Sequence, residues 1–143
     1  MGQNEAIKLF EEKKVRTIWD DTQEKWFFSV LDVVQVLTDS VNPTDYFKKM
    51  RKRDEQLALF VGTNCPQVLM NGETGKRRRT LVGDAQTIFR IIQSIPSPKA
   101  EPFKQWLAQV GYERMQEIEN PELAQDRMKE LYEKKGYPKD WID

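Results

Sequence analysis

Three times in this 143-residue chain a residue that caps helices stands directly before a proline: Asn42-Pro43, Ser97-Pro98 and Asn120-Pro121. A Ser or Asn side chain accepts from the free amides of a first helical turn, and proline is tolerated in that turn because its missing N–H would have had no partner there. Three helix starts are thereby fixed. After the first, Tyr46, Phe47 and Met50 form an apolar side running through Arg53, while Lys48, Arg51 and Lys52 share another face at i, i+3, i+4. After the second, Phe103, Trp106, Leu107 and Val110 predict a wide apolar face, continued by Met115 and Ile118. After the third, a helix to Lys135 has only a thin stripe of Ala124, Met128, Leu131 and Tyr132 before Gly136 stops it.

The segments outside these helices carry a different period. Ile7–Phe10, Val15–Trp19 and Trp26–Phe28 are short β-prone runs separated by charged turns, which predicts a three-stranded meander. Ser29 then reads as an N-cap with Asp32 in the favourable first turn, and Val30, Val33, Val34 and Leu37 fall on one helical stripe. Leu57–Phe60 is a short apolar run whose state the pattern leaves open. Gln67–Met70 and Thr80–Val82 flank Asn71-Gly72-Glu73-Thr74-Gly75, whose glycines suit a β-hairpin with Lys76 to Arg79 on its returning arm. Asp84 caps one more helix, with Ala85, Ile88, Phe89 and Ile92 at helical spacing and an end before Pro96. The expectation is an α+β fold: a small antiparallel sheet and β-hairpin packed with helices, and a helical C-terminal tail.

The chain contains no histidine and a single cysteine, Cys65. Imidazole is therefore lost as a general base, and the usual zinc ligand sets cannot be assembled. One cysteine forms no internal disulfide, in keeping with a reducing compartment. Glu12-Lys13-Lys14 and Glu133-Lys134-Lys135 have the Glu-x-Lys spacing of some metal-dependent nucleases, but such triplets are common in charged segments and no upstream Asp on an adjoining strand accompanies them. Gly72-Glu73-Thr74-Gly75-Lys76 is not a phosphate-binding loop, since Met70 stands where that motif has glycine and Arg77 where it has Ser or Thr. The reading is a protein that is not an enzyme, with no metal and no cofactor. No run reaches the eighteen or so apolar residues of a membrane span and the first residues lack a secretory signal, so a cytoplasmic location without membrane partners is expected.

Formal charge sums to zero, yet it is unevenly laid out. Residues 1–43 carry five Lys/Arg against eight Asp/Glu, residues 44–90 ten against five, and residues 91–143 eight against ten. The positive middle third holds two clusters: Lys48, Lys49, Arg51, Lys52 and Arg53, and Lys76, Arg77, Arg78 and Arg79. A solvated helix face explains a charge run of the first kind. Four consecutive cations beside a turn repel one another, and in a strand only alternate members share a face, so an anionic partner is the simplest reason to hold the second. The arginine fork suits bidentate contact with phosphates or guanine edges, which makes the nine residues candidate nucleic-acid contacts. Trp19, Trp26, Phe27, Phe28, Phe89, Phe103 and Trp106 all sit in patterns that explain them as core, so stacking on single strands has little support.

Beyond pattern alone, Phe10, Val15-Arg16, Trp26-Phe27, Asp32-Val33 and Val36-Leu37 resemble, in order and spacing, the opening of the N-terminal domain of the BRO family, found in phage antirepressors and large DNA virus proteins. The basic stretch Lys48 to Arg53, then Phe89-Arg90-Ile91-Ile92, Pro98, Ala100 and Phe103-Lys104-Gln105-Trp106-Leu107, resembles its closing half. The likeness covers about residues 6–116. It implies a domain over residues 1–116 that binds DNA, in a phage- or prophage-type antirepressor or transcription regulator; the alternative is an antirepressor that occupies a repressor protein. Residues 117–143 are then a helical extension or the start of a connector. The resemblance transfers no base-reading residue. The partners expected are DNA and, in the alternative, a repressor, with a homo-oligomer left open.

Overall fold

The computed structural model describes residues 15–72 and 74–136. The expected strand at Ile7–Phe10 lies outside them. Four strands form one antiparallel sheet in the order β1-β2-β4-β3: β1 (Thr17–Asp20), β2 (Lys25–Ser29), β3 (Gln67–Asn71) and β4 (Arg77–Asp84). Among the described residues six α-helices accompany it: α1 (Val30–Thr38), α2 (Pro43–Arg53), α3 (Glu55–Asn64), α4 (Ala85–Ser94), α5 (Glu101–Glu119) and α6 (Glu122–Lys134). A 3-10 turn, Pro98–Ala100, precedes α5. The fold is α+β, and no helix among the described residues is long and apolar enough to cross a membrane.

Side-chain caps set most helix starts. Ser29 accepts from the amide of Asp32, Asn42 from Asp45, Asp54 from Leu57 and Asp84 from Thr87. Ser97 caps the 3-10 turn, and Asn120 Oδ1 takes the Glu122 amide at 3.3 Å. The run at Leu57–Phe60 is thus resolved as part of a ten-residue helix, started by Asp54 and buried through Leu57 and Val61. Its low amphipathic contrast concealed it, since Leu59 points to water beside the buried positions.

The main core gathers Val30, Val33, Val34 and Leu37 of α1, Phe47 and Met50 of α2, Leu57 and Val61 of α3, and Ile88, Ile91 and Ile92 of α4. Phe103 closes it, with Phe28, Leu81, Phe89 and Trp106 packed against its margin. A smaller cluster of Phe27, Met70 and Val82 lies on the sheet. Gly83 marks the tightest approach between β4 and α4: a Cβ there would stand 2.8 Å from Thr87 Cγ2, so glycine is needed for contact and not for its dihedral freedom.

Two expectations about apolar residues are corrected. Trp19 and Trp26 are 44% and 53% exposed, forming a T-shaped pair with centroids 5.3 Å apart. They face each other across β1 and β2, on the part of that ladder that runs past the pairing of β2 with β4, which begins at Phe27. Along α5 only Phe103 is buried; Val110, Met115 and Ile118 are exposed. Two compact units divide between Trp106 and Leu107, and these three residues belong to the second.

Candidate nucleic-acid interface

The hairpin β3–β4 is closed by a short turn in which the Gly72 amide donates to the Lys76 carbonyl at 2.8 Å and Gly75 adopts a left-handed φ of 82°. Its register sets Arg77 opposite Asn71, Arg78 opposite Met70 and Arg79 opposite Leu69. Arg77 and Arg79 therefore share one face of the arm and Arg78 the other, as strand alternation requires. All three arginines are exposed, and Lys76 is exposed in the turn.

Helix α2 supplies the second cluster. Burial of Phe47 and Met50 turns Lys48 and Lys52 to solvent, and Arg53 is exposed at the helix end. Arg51 leans back over the helix: its guanidinium carbon lies 4.7 Å from the centroid of the Phe47 ring, and its Nε donates to the Phe47 carbonyl at 3.4 Å. Lys49 is held by Asp45 one turn earlier, Nζ to Oδ2 at 3.1 Å, an exposed pair of small energetic weight.

The two clusters, twenty-odd residues apart in sequence, meet at one groove of about 800 Å³. Arg51 lines it from α2, and Arg78 and Arg79 from β4. Leu31, Phe47 and Leu81 contribute apolar surface, and Gln35, Thr44, Gln67 and Asn71 contribute polar groups. Lys48, Lys49, Lys52, Arg53, Lys76 and Arg77 do not line it; Arg77 borders a separate depression of about 480 Å³ with Leu69 and Met70.

Arg16, which charge runs did not single out, is the residue that organises this site. Its Nε and Nη2 grip Asp32 Oδ2 and Oδ1 at 2.8 and 3.0 Å, and its backbone amide also reaches Oδ2, at 2.9 Å. Its Nη1 donates to the Asn71 carbonyl at 2.9 Å, tying the hairpin to the start of α1. A lone cation before a strand gives no sequence signal for such a role; the pairing of Arg16 with a first-turn Asp sixteen residues later exists only in three dimensions. Asp32 is the only carboxylate lining the groove among the described residues, and Arg16 neutralises it. Arg51, Arg78 and Arg79 are left as the groove's uncompensated charges: no ion pair engages them among the described residues.

Other chemistry is weakly provided for. No group of three or more side chains suited to a metal occurs among the described residues. Glu133 and Lys134 end α6 and Lys135 follows it, all three exposed; Glu12 lies outside the described residues. Burial, reinforced by the nearby Asp84 carboxylate, pushes the Cys65 thiol up to about 11, so at neutral pH it is protonated and a poor nucleophile.

No curated protein and no solved structure matches the chain. The model of the BRO family, N-terminal domain, matches residues 14–113, which takes in the sheet, helices α1 to α4 and every arginine of the groove. With that match over most of its length, the chain belongs to the BRO family, through the family's N-terminal domain.

Proposed function

We propose that this chain is the DNA-binding module of a phage-type transcription regulator, and that it grips duplex DNA through the groove between α2 and the β3–β4 arm. The observation that carries the reading is the convergence of Arg51, Arg78 and Arg79 on a groove whose single described carboxylate is already neutralised. Charges of one sign collected in a concave surface focus field toward an anionic ligand. Guanidinium forks on a strand and a packed helix are more pre-organised than lysines on loops, so less side-chain entropy is lost when they meet phosphates. Lys48, Lys52, Arg53 and Lys76 flank the groove in this reading and add contacts of lower geometric demand. The role requires no covalent chemistry, metal or cofactor, and it belongs in the cytoplasm with the genome it regulates.

The test is a fluorescence-anisotropy titration of arbitrary duplex DNA at several salt concentrations. If the three groove arginines and one or two outer lysines each neutralise a phosphate, log affinity falls against log salt with a slope of roughly −4, at about −0.9 per phosphate. The double variant Arg51→Ala, Arg79→Ala flattens that slope by up to about two units. Lys48→Ala with Lys52→Ala weakens binding to all sequences alike. Slopes unchanged from the parent in both variants would mean that the clusters are solvated surface, and capture of a repressor protein would become the better account.

A further inference from the structure

The second compact unit is held together by polar contacts. Helices α5 and α6 fold back on each other through Arg127, whose Nη1 donates to the Glu113 carbonyl at 2.9 Å and pairs with Glu117 at 3.1 Å, and whose Nη2 donates to Gln116 Oε1 at 3.0 Å. Five apolar residues of the same two helices are left in water, Val110, Met115 and Ile118 on α5 and Met128 and Leu131 on α6, between 41% and 66% exposed, while Leu107, Leu123 and Ala124 are half-buried. None of the thirteen residues of α6 is buried, and its first turn receives only the Asn120 Oδ1 contact to the Glu122 amide, at 3.3 Å. A helix of that length with no fully buried residue is marginal in water.

We infer that this face is a self-association surface, covered by the same face of a second copy of the chain. Area supports it. Five side chains of this size at these exposures present on the order of 500 Å² of apolar surface, at the upper end for a lone monomer (roughly 300–600 Å²) and most of the roughly 800 Å² that each partner of a standard interface buries. Geometry supports it too: a two-helix hairpin with one apolar side is half of a four-helix bundle, and a two-fold axis sets the stripe against its own copy. Charge excludes the main competitors. The described part of this unit, residues 107–136, carries five Lys/Arg against seven Asp/Glu, a net negative balance that repels nucleic acid and anionic lipid yet is too small to oppose pairing of like with like.

The experiment is sedimentation velocity on the whole chain from about 1 to 200 μM, alone and with Ile118→Glu plus Met128→Glu. The parent is expected to shift from monomer to dimer with concentration, and the variant to weaken dimerisation at least tenfold. Leu59→Glu, an equally exposed apolar position on α3, leaves the dimer unchanged. Helicity by circular dichroism guards against unfolding, and Met115→Lys replaces the double variant should that lose its helices. A parent that stays monomeric at 200 μM, or variants that associate as tightly as the parent, overturns the inference. DNA binding has its own readout, so failure of either proposal leaves the other standing.

Discussion

The Arg16–Asp32 pair can be weighed by a double-mutant cycle. Two fork contacts at 2.8 and 3.0 Å make it a bidentate, charge-assisted pair, with Asp32 16% exposed and Arg16 39% exposed. Fully exposed pairs contribute about 0.2–1 kcal/mol, and removal of one member of a fully buried pair costs about 3–5 kcal/mol. With one partner shielded and the other more than a third in water, the expected coupling is about 1–2 kcal/mol. Asp32→Asn alone costs more than Arg16→Ala alone, because the Arg16 amide and side chain both lose a charged acceptor. Urea denaturation of the parent, both single variants and the double variant gives the coupling, provided the slope against denaturant stays constant. Arg16→Lys recovers little, since an ammonium cannot span Asp32 and the Asn71 carbonyl together. In Arg16→Ala the amides of the β3–β4 arm exchange faster, while those pairing β2 with β4 change less. A coupling under about 0.3 kcal/mol, within ordinary additivity, or exchange that rises evenly across the sheet, would refute the view that Arg16 anchors the arm.

Gly83→Ala is expected to lower stability by about 1–3 kcal/mol, read as a fall in Tm, because the new methyl meets Thr87 Cγ2 at 2.8 Å; adding Thr87→Ala restores part of the loss. Asp84 has its pKa held below the ordinary carboxylate value, chiefly by the Thr87 amide, with Lys25 assisting. Its contribution is therefore present above the unfolded-state value of about 4 and lost as pH falls through the lower folded value; Asp84→Ala costs about 1 kcal/mol at pH 7, and the gap to the parent closes in acid urea titrations. Truncation after Glu119 leaves a cooperative thermal transition, since every buried core residue of the described chain precedes Val110; a chain with no transition would show that α6 is needed for the fold.

Local chemistry made the helices legible. Ser29, Asn42 and Asp84 cap where their side chains say they should, and Val30, Val33, Val34 and Leu37 of α1 and Ile88 and Ile92 of α4 fall inside as helical spacing asks, whereas Ala85 of the same expected stripe is exposed and Ile91, outside it, is buried. The hairpin was legible through its two glycines, and the cationic strand through Arg77 to Arg79. Legibility ended wherever the answer depended on what lies opposite. Trp19 and Trp26 have the composition of core residues, yet they are exposed at the end of the β1–β2 ladder that runs past the β2–β4 pairing. Val110 and Ile118 have core spacing but belong to the second compact unit, where both are exposed. Of the nine candidate cations, the groove gathers Arg51, which leans onto Phe47, and the neighbours Arg78 and Arg79, a pair that strand alternation alone would have placed on opposite faces. Arg16 emerged only from its partners.

Strand β4 changes neighbours midway: it pairs with β3 from Arg77 to Leu81 and with β2 from Val82 to Asp84. The cationic end of the strand is thus governed by parity. A single residue inserted between Arg79 and Thr80 would leave Val82 and Gly83 in place but exchange the two sides of the arm, sending Arg78 where Arg77 and Arg79 now point. Two inserted residues would restore the sides and carry the arginines roughly 7 Å farther out, at the ordinary rise of a strand. Even and odd changes of length at one site are therefore opposite instructions, the first adjusting reach and the second inverting which charges meet a ligand, while the packed half of the same strand registers neither.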